Sequence, residues 1–198
     1  MSDLPERPRA TGVPFVDIAV AVAAICISVA SLWVALRADR TQERLLAASV
    51  WPVLVFDTSD FVERTHVINL DVTNAGVGPA KIRWFDLYYR GKALANDAAL
   101  LDACCERGGK LHGLRRVLYS EYMRYRVMVP HETLHFMSVP QDARNGREWA
   151  TLDRERENVY VRACYCSVLD DCWLLDSRRP EPRTVEVCPA PDLPLYQG

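Results

Sequence analysis

The sequence has no excess of either charge. Its formal net charge is −2 and its pI about 6.1, and its arginines are interleaved with Asp and Glu. It therefore offers no basic stripe for a phosphate backbone, and a nucleic-acid partner is not expected. C-x-x-C is absent, which removes thioredoxin-like redox chemistry and the paired knuckles of structural zinc. G-x-G-x-x-G and the P-loop are absent too: Gly76 and Gly78 lack the spacing, the following helix and the Lys-Ser/Thr pair that a phosphate site needs, and read as turn residues. Ser120 and Ser167 lie in no G-x-S-x-G elbow, so a serine hydrolase has no support. There is no internal repeat and no long low-complexity segment.

What is present first is an unbroken apolar run from Ile18 to Leu36, in which Ser28 and Ser31 carry the only hydroxyls. At about 1.5 Å per residue it reaches about 28 Å, the thickness of a bilayer's hydrocarbon core. Ser28-Val29-Ala30 has the small-x-small form of a signal-peptide cleavage site, but apolar residues continue to Leu36 before the first charge at Arg37. The expectation is a retained single-pass anchor in the inner (cell) membrane, with the lipid bilayer as its first partner. Ala19, Ala23 and Ile27, and Ala24 and Ser28, give the small-x-x-x-small spacing through which spans self-associate, so a homo-oligomer is a further arrangement to weigh.

Orientation is argued from two features that disagree. Arg7 and Arg9 precede the run while Arg37, Arg40 and Arg44 follow it, which leans toward a cytoplasmic C-terminal domain. Of seven cysteines, only Cys26 lies in the run; Cys104, Cys105, Cys164, Cys166, Cys172 and Cys188 form an even set suited to disulfides in an oxidising compartment. The cysteines favour an extracytoplasmic domain.

The chain divides into a disordered tail over 1–12, a transmembrane helix over 13–36, a helical stalk over 37–50, one domain over 51–190 and a C-terminal tail over 191–198. Within the domain, short β-branched and aromatic runs alternate with turn residues. Strands are expected at Val53–Asp57, Thr65–Thr73, Ala80–Tyr89, Val117–Tyr119, Arg124–Val129, Thr133–Val139, Val159–Val168, Cys172–Leu175 and Thr184–Cys188. Leu94, Ala98, Leu101 and Cys105 recur at helical spacing before Gly108-Gly109, and Gly146–Glu157 reads as a second helix with Trp149 and Leu152 inward. The fold class is mainly β: a transmembrane helix followed by an antiparallel β-sandwich with one or two short inserted helices.

Trp51-Pro52 after the span, then Asn74-Ala75-Gly76-Val77-Gly78-Pro79-Ala80, then Cys164-Tyr165-Cys166-Ser167-Val168, resemble uncharacterised bacterial single-pass membrane proteins with a C-terminal immunoglobulin-like β-sandwich. The likeness covers most of residues 31–190. It implies a fold and a location, and it carries no activity and no catalytic residue.

Two groups of residues could carry chemistry. His131-Glu132-Thr133-Leu134-His135 matches H-E-x-x-H, in which two histidines one helical turn apart hold zinc and the glutamate polarises its water. That chemistry needs a helix, whereas Thr133–Val139 alternates as a strand and would set His131 and His135 about 13 Å apart. In the second group, the pleat of Val159–Val168 points Cys164 and Cys166 to one face, with Cys172 across a tight turn. A disulfide among Cys166, Cys172 and Cys188 is the first reading; buried thiols and a thiolate metal site are the alternatives. Adjacent Cys104 and Cys105 diverge by about 100° on a helix, so at most one faces the core.

The expected function is a noncatalytic, membrane-anchored β-sandwich that binds a protein partner or senses at the membrane surface, with no cofactor. Two alternatives stay open: a zinc metallopeptidase with His131 and His135 as ligands and Glu132 as base, and a thiol- or metal-handling envelope domain.

Overall fold

A computed structural model describes residues 14–105 and 118–191. The expected tail over 1–12, Gly108-Gly109, Val117 and residues 192–198 of the C-terminal tail lie outside the described residues. The chain divides into two compact units after Leu46.

Helix α1 runs without a break from Pro14 to Ser49. Its proline sits in the first turn, where the missing N–H has no helical partner to lose. At the other end Trp51-Pro52 cannot continue the helix. The expected span and stalk are thus one helix. Phe15–Ser49 is long and apolar enough to cross a membrane, and a signal sequence near the N-terminus answers the same description.

The second unit is two antiparallel sheets. The strands are β1 (Leu54–Val62), β2 (Thr65–Asn74), β3 (Ala80–Tyr89), β4 (Lys92–Leu94), β5 (Tyr119–Ser120), β6 (Val127–Met128), β7 (Thr133–Pro140), β8 (Val159–Cys166), β9 (Cys172–Asp176) and β10 (Arg183–Val185). One sheet has the order β1-β2-β7-β5, and the other β10-β9-β8-β3-β4 with β6 also on β3. Tight turns set the registers. Glu63 and Arg64 both take positive φ, as do Arg90 and Gly91, which is the backbone that a two-residue hairpin twisting with its strands requires.

Period-2 alternation fills the space between the sheets. Ile68, Leu70, Val72, Leu134 and Phe136 from one sheet meet Ile82, Phe85, Leu87, Val161, Ala163 and Tyr165 from the other, all buried. Two helices pack against this core and against each other. α2 (Asp97–Cys104) is capped by the Asn96 side chain, which accepts from the Ala99 amide at 2.9 Å, and it buries Leu100 and Leu101. α3 (Gly146–Glu155) turns Trp149 and Leu152 inward, and the Trp149 indole N–H donates to the Val139 carbonyl at 3.0 Å.

Several boundaries differ from expectation for physical reasons. The Arg124–Val129 strand shrinks to Val127–Met128, because Tyr125 takes a positive φ and breaks the extended run. The last strand covers Arg183–Val185, so Cys188 follows it instead of lying on it. The buried stripe of α2 is Leu100 and Leu101 rather than Leu94, Ala98 and Leu101, since Asn96 starts the helix two residues later than Leu94.

Candidate functional site

Three places in the second unit gather chemically distinctive side chains. The first is a lock around Asn74, whose side chain is fully buried. Its Oδ1 accepts from the amides of Val53 at 3.2 Å and Gly76 at 3.1 Å. Its Nδ2 faces the carbonyls of Gly78 at 2.8 Å and of Met128 and Val129 at 3.2 Å each. The backbone completes the ring: Ala75 N–H donates to Val53 at 2.7 Å, Val77 and Gly78 N–H to Trp51, and His131 N–H to Asn74 at 2.8 Å. A Cβ at Gly76 would collide with Trp51 and Val53 backbone, and one at Gly78 with Val50. The motif that reads in sequence as a turn therefore grips the segment following α1 and ties it to the loop before β7.

That loop holds the first half of the H-E-x-x-H match. His131 has φ 62° and sits in the turn, while Thr133–Pro140 is strand β7. No helical turn brings the two imidazoles to one metal. Glu132 is committed elsewhere: it accepts from Arg126 Nη2 at 2.8 Å and from the Val129 amide at 2.8 Å. The Arg126 hydrogen bond, helped by the Val129 amide, holds its carboxyl below the usual range. A water-activating base needs a raised pKa, not a lowered one. His135 Nδ1 lies 2.7 Å from Asp71 Oδ1, and burial pushes the Asp71 carboxyl up even though the imidazole lowers it. The metallopeptidase geometry is not formed.

The second place is on the outer face of the β8 sheet. Cys164 and Cys166 share one face of β8 as expected, opposite the core residues Val159, Val161, Ala163 and Tyr165. Cys166 pairs in register with Cys172 on β9, and the two are at disulfide distance with Cα atoms 4.0 Å apart. Cys188 is at disulfide distance from Cys164, with Cα atoms 5.8 Å apart. Cys166–Cys172 is a pairing within the expected set of Cys166, Cys172 and Cys188; Cys188 instead faces Cys164, because the strap after β10 is held one row along, where the Trp84 indole N–H donates to the Pro189 carbonyl at 2.7 Å. Trp84, Cys164 and Leu174 form a small apolar cluster there, against which Val185 and Cys188 pack. Cys104 and Cys105 are also at disulfide distance from each other. They were expected to point apart; Cys105 is the C-cap, with non-helical φ and ψ, which turns its side chain back.

The third place was not anticipated. Tyr165, Trp173 and Thr184 stand in one cross-strand row on β8, β9 and β10. The row leads from the core to a cleft of about 410 Å³, closed by Trp51, Val53, Pro180, Glu181 and Pro182. Tyr165 is buried, its ring stacks on Trp173 with centroids 5.9 Å apart, and its hydroxyl accepts from the Leu54 amide at 3.4 Å. Burial pushes its pKa up to about 12. Beside the cleft runs β1, nine residues long and, among the described residues, an end strand of its sheet; its Leu54 amide is taken by Tyr165 and its Thr58 carbonyl by Arg156 at 3.1 Å. In sequence the available signals were Trp51, Trp173 and the Pro180-Glu181-Pro182 run; what joins them is the β9–β10 hairpin folding back toward β1, which no local pattern reveals.

No protein-family model, curated protein or solved structure matches this chain.

Proposed function

We propose that this protein is a noncatalytic, immunoglobulin-like β-sandwich module held at the cell membrane by a retained α1, with its domain outside the cytoplasm, where it binds a protein partner through the cleft between β1 and the β9–β10 hairpin. The observation that carries the reading is the cleft itself. It is concave and lined by two tryptophans, a tyrosine and two prolines, the large rigid side chains on which a partner's residues anchor.

The immunoglobulin-like assignment draws support from strand order. Lettered along the chain, β1-β2-β7-β5 follows the A-B-E-D order of constant-type sandwiches, and β9-β8-β3 follows G-F-C. The same order agrees with the resemblance to bacterial single-pass membrane proteins. The cysteine pairs differ from the antibody pattern, since Cys164 lies on the outer face and bridges to a strap instead of across the core. Three cysteine pairs at disulfide distance favour an oxidising compartment.

A photo-crosslinking side chain placed at Glu181 or Thr184 of the full chain in its native membrane tests the reading. The expected result is a discrete adduct that disappears when Trp51 and Trp173 are both replaced by Ala, with none from the same probe at Lys92. Equal adducts from Lys92, or none from either cleft position, would overturn it.

A further inference from the structure

We infer that Cys164, Cys166, Cys172 and Cys188 form a two-state thiol site: two disulfides when oxidised, and, once a dithiol has reduced both, a four-thiolate centre for a soft divalent ion such as Zn²⁺. Among the described residues, the one group of three or more His, Cys, Asp or Glu side chains placed to share a metal ion is Cys166, Cys172 and Cys188, whose sulfurs all lie within 4.8 Å of one another. Cys166 Sγ and Cys188 Sγ approach to 4.0 Å although they belong to different pairs. Cys164 stands outside that group of three but is bonded to Cys188, so a fourth sulfur swings toward the group when that bond opens. Tetrahedral thiolate zinc, with Zn–S near 2.3 Å, has sulfur–sulfur edges of about 3.8 Å. The Cys166–Cys188 edge, at 4.0 Å, is already near that length; each bonded pair need open by about 2 Å and Cys164 must also turn toward Cys166 and Cys172, movements that side-chain rotation supplies.

The backbone explains the convergence. The pleat aims two sulfurs the same way from β8, register sets Cys172 beside Cys166, and the strap anchored by Trp84 lowers Cys188 onto the group. Trp84 and Leu174 bury Cys164, with Val185 and Cys188 packed on them half-buried, and Cys166 and Cys172 are buried as well. A divalent ion with four thiolates carries net charge −2, and cations stand near it: Lys81 pairs in register with Cys166 across β3 and β8, and Lys81 and Arg83 share the Asp170 carboxylate on the β8–β9 turn. Thiolates form more readily beside such cations. The spacing hides the site in sequence, because C-x-C followed by two distant cysteines contains no C-x-x-C knuckle.

The chemistry balances. Each disulfide takes two electrons and two protons from one dithiol, which leaves as its own disulfide. Binding of the ion by the four resulting thiols releases four protons. Two equivalents of a disulfide oxidant then each accept two electrons and two protons and leave as dithiols, which restores both cysteine disulfides and expels the ion, so the site couples metal occupancy to redox state. The inference stands on the cluster alone and is independent of the proposed partner cleft.

The full chain in detergent, reduced by excess dithiol and desalted under argon, is titrated with Zn²⁺ and then alkylated. The expected result is one zinc per chain, with Cys164, Cys166, Cys172 and Cys188 protected from alkylation and Cys104 and Cys105 not. Cys104→Ser with Cys105→Ser retains the ion, and Cys166→Ser loses it. Absence of bound zinc, alkylation of the four cysteines in zinc-loaded protein, or loss of the fold on reduction that zinc does not restore would each overturn the inference.

Discussion

Asn74 is fully buried and uses both amide atoms on five backbone partners. Asn74→Ala strands two amides and three carbonyls, and a buried unsatisfied group costs about 1–3 kcal/mol. The expected loss is about 3 kcal/mol, read as a lower urea midpoint with unchanged slope. Tyr165 makes a pH prediction. Its folded pKa is raised from 10.0 to about 12 by burial, so the neutral hydroxyl is favoured in the fold. Its contribution is complete below pH about 10 and is lost as pH rises through about 12, a decline of about 2–3 kcal/mol. Tyr165→Phe removes this alkaline slope, at a cost near neutrality of about 1 kcal/mol for the long hydrogen bond to Leu54. Denaturation curves at pH 8 and pH 11 check both.

At the scale of elements, β7 decides what the H-E-x-x-H letters mean. The alternation Thr133, Leu134, His135, Phe136 marks a strand in sequence, and strand is what forms. His131→Ala with His135→Ala should leave metal content and any peptidase background unchanged, measured by elemental analysis and a general peptide substrate; a stoichiometric zinc lost on that substitution would contradict the account. Much of the sheet was legible this way. Ala80–Tyr89 has both ends right, and Trp149 and Leu152 face inward as their spacing requires. Short elements were legible only in part: strands were expected over Val117–Tyr119 and Arg124–Val129, at other bounds than those that form, and β4 was not expected at all. β5 and β6 are two residues each, too brief for a period to fix their ends, which are set by where β7 and β3 offer pairing partners. The Cys164–Cys188 pairing and the cleft were illegible for the same reason: both depend on where the strap and hairpin after β9 return, which tertiary contacts decide.

For the molecule as a whole, the strap is a long-range staple. The Cys164–Cys188 link closes a loop with sequence separation 24, and constraining a loop of that size in the unfolded chain stabilises by about 3 kcal/mol. Cys188→Ser should lower stability by about that amount and free the strap from Trp84, seen as a red shift of tryptophan emission. The larger claim is one retained helix presenting one disulfide-linked sandwich outside the cytoplasm. The most direct measurement is thiol-labelling topology in intact cells: Ser59→Cys on β1, labelled with a membrane-impermeant maleimide, followed by fractionation of the labelled chain. The account predicts labelling before lysis, and a membrane-bound product that still contains α1. Labelling only after lysis, or a released product beginning beyond Ala30, would contradict it.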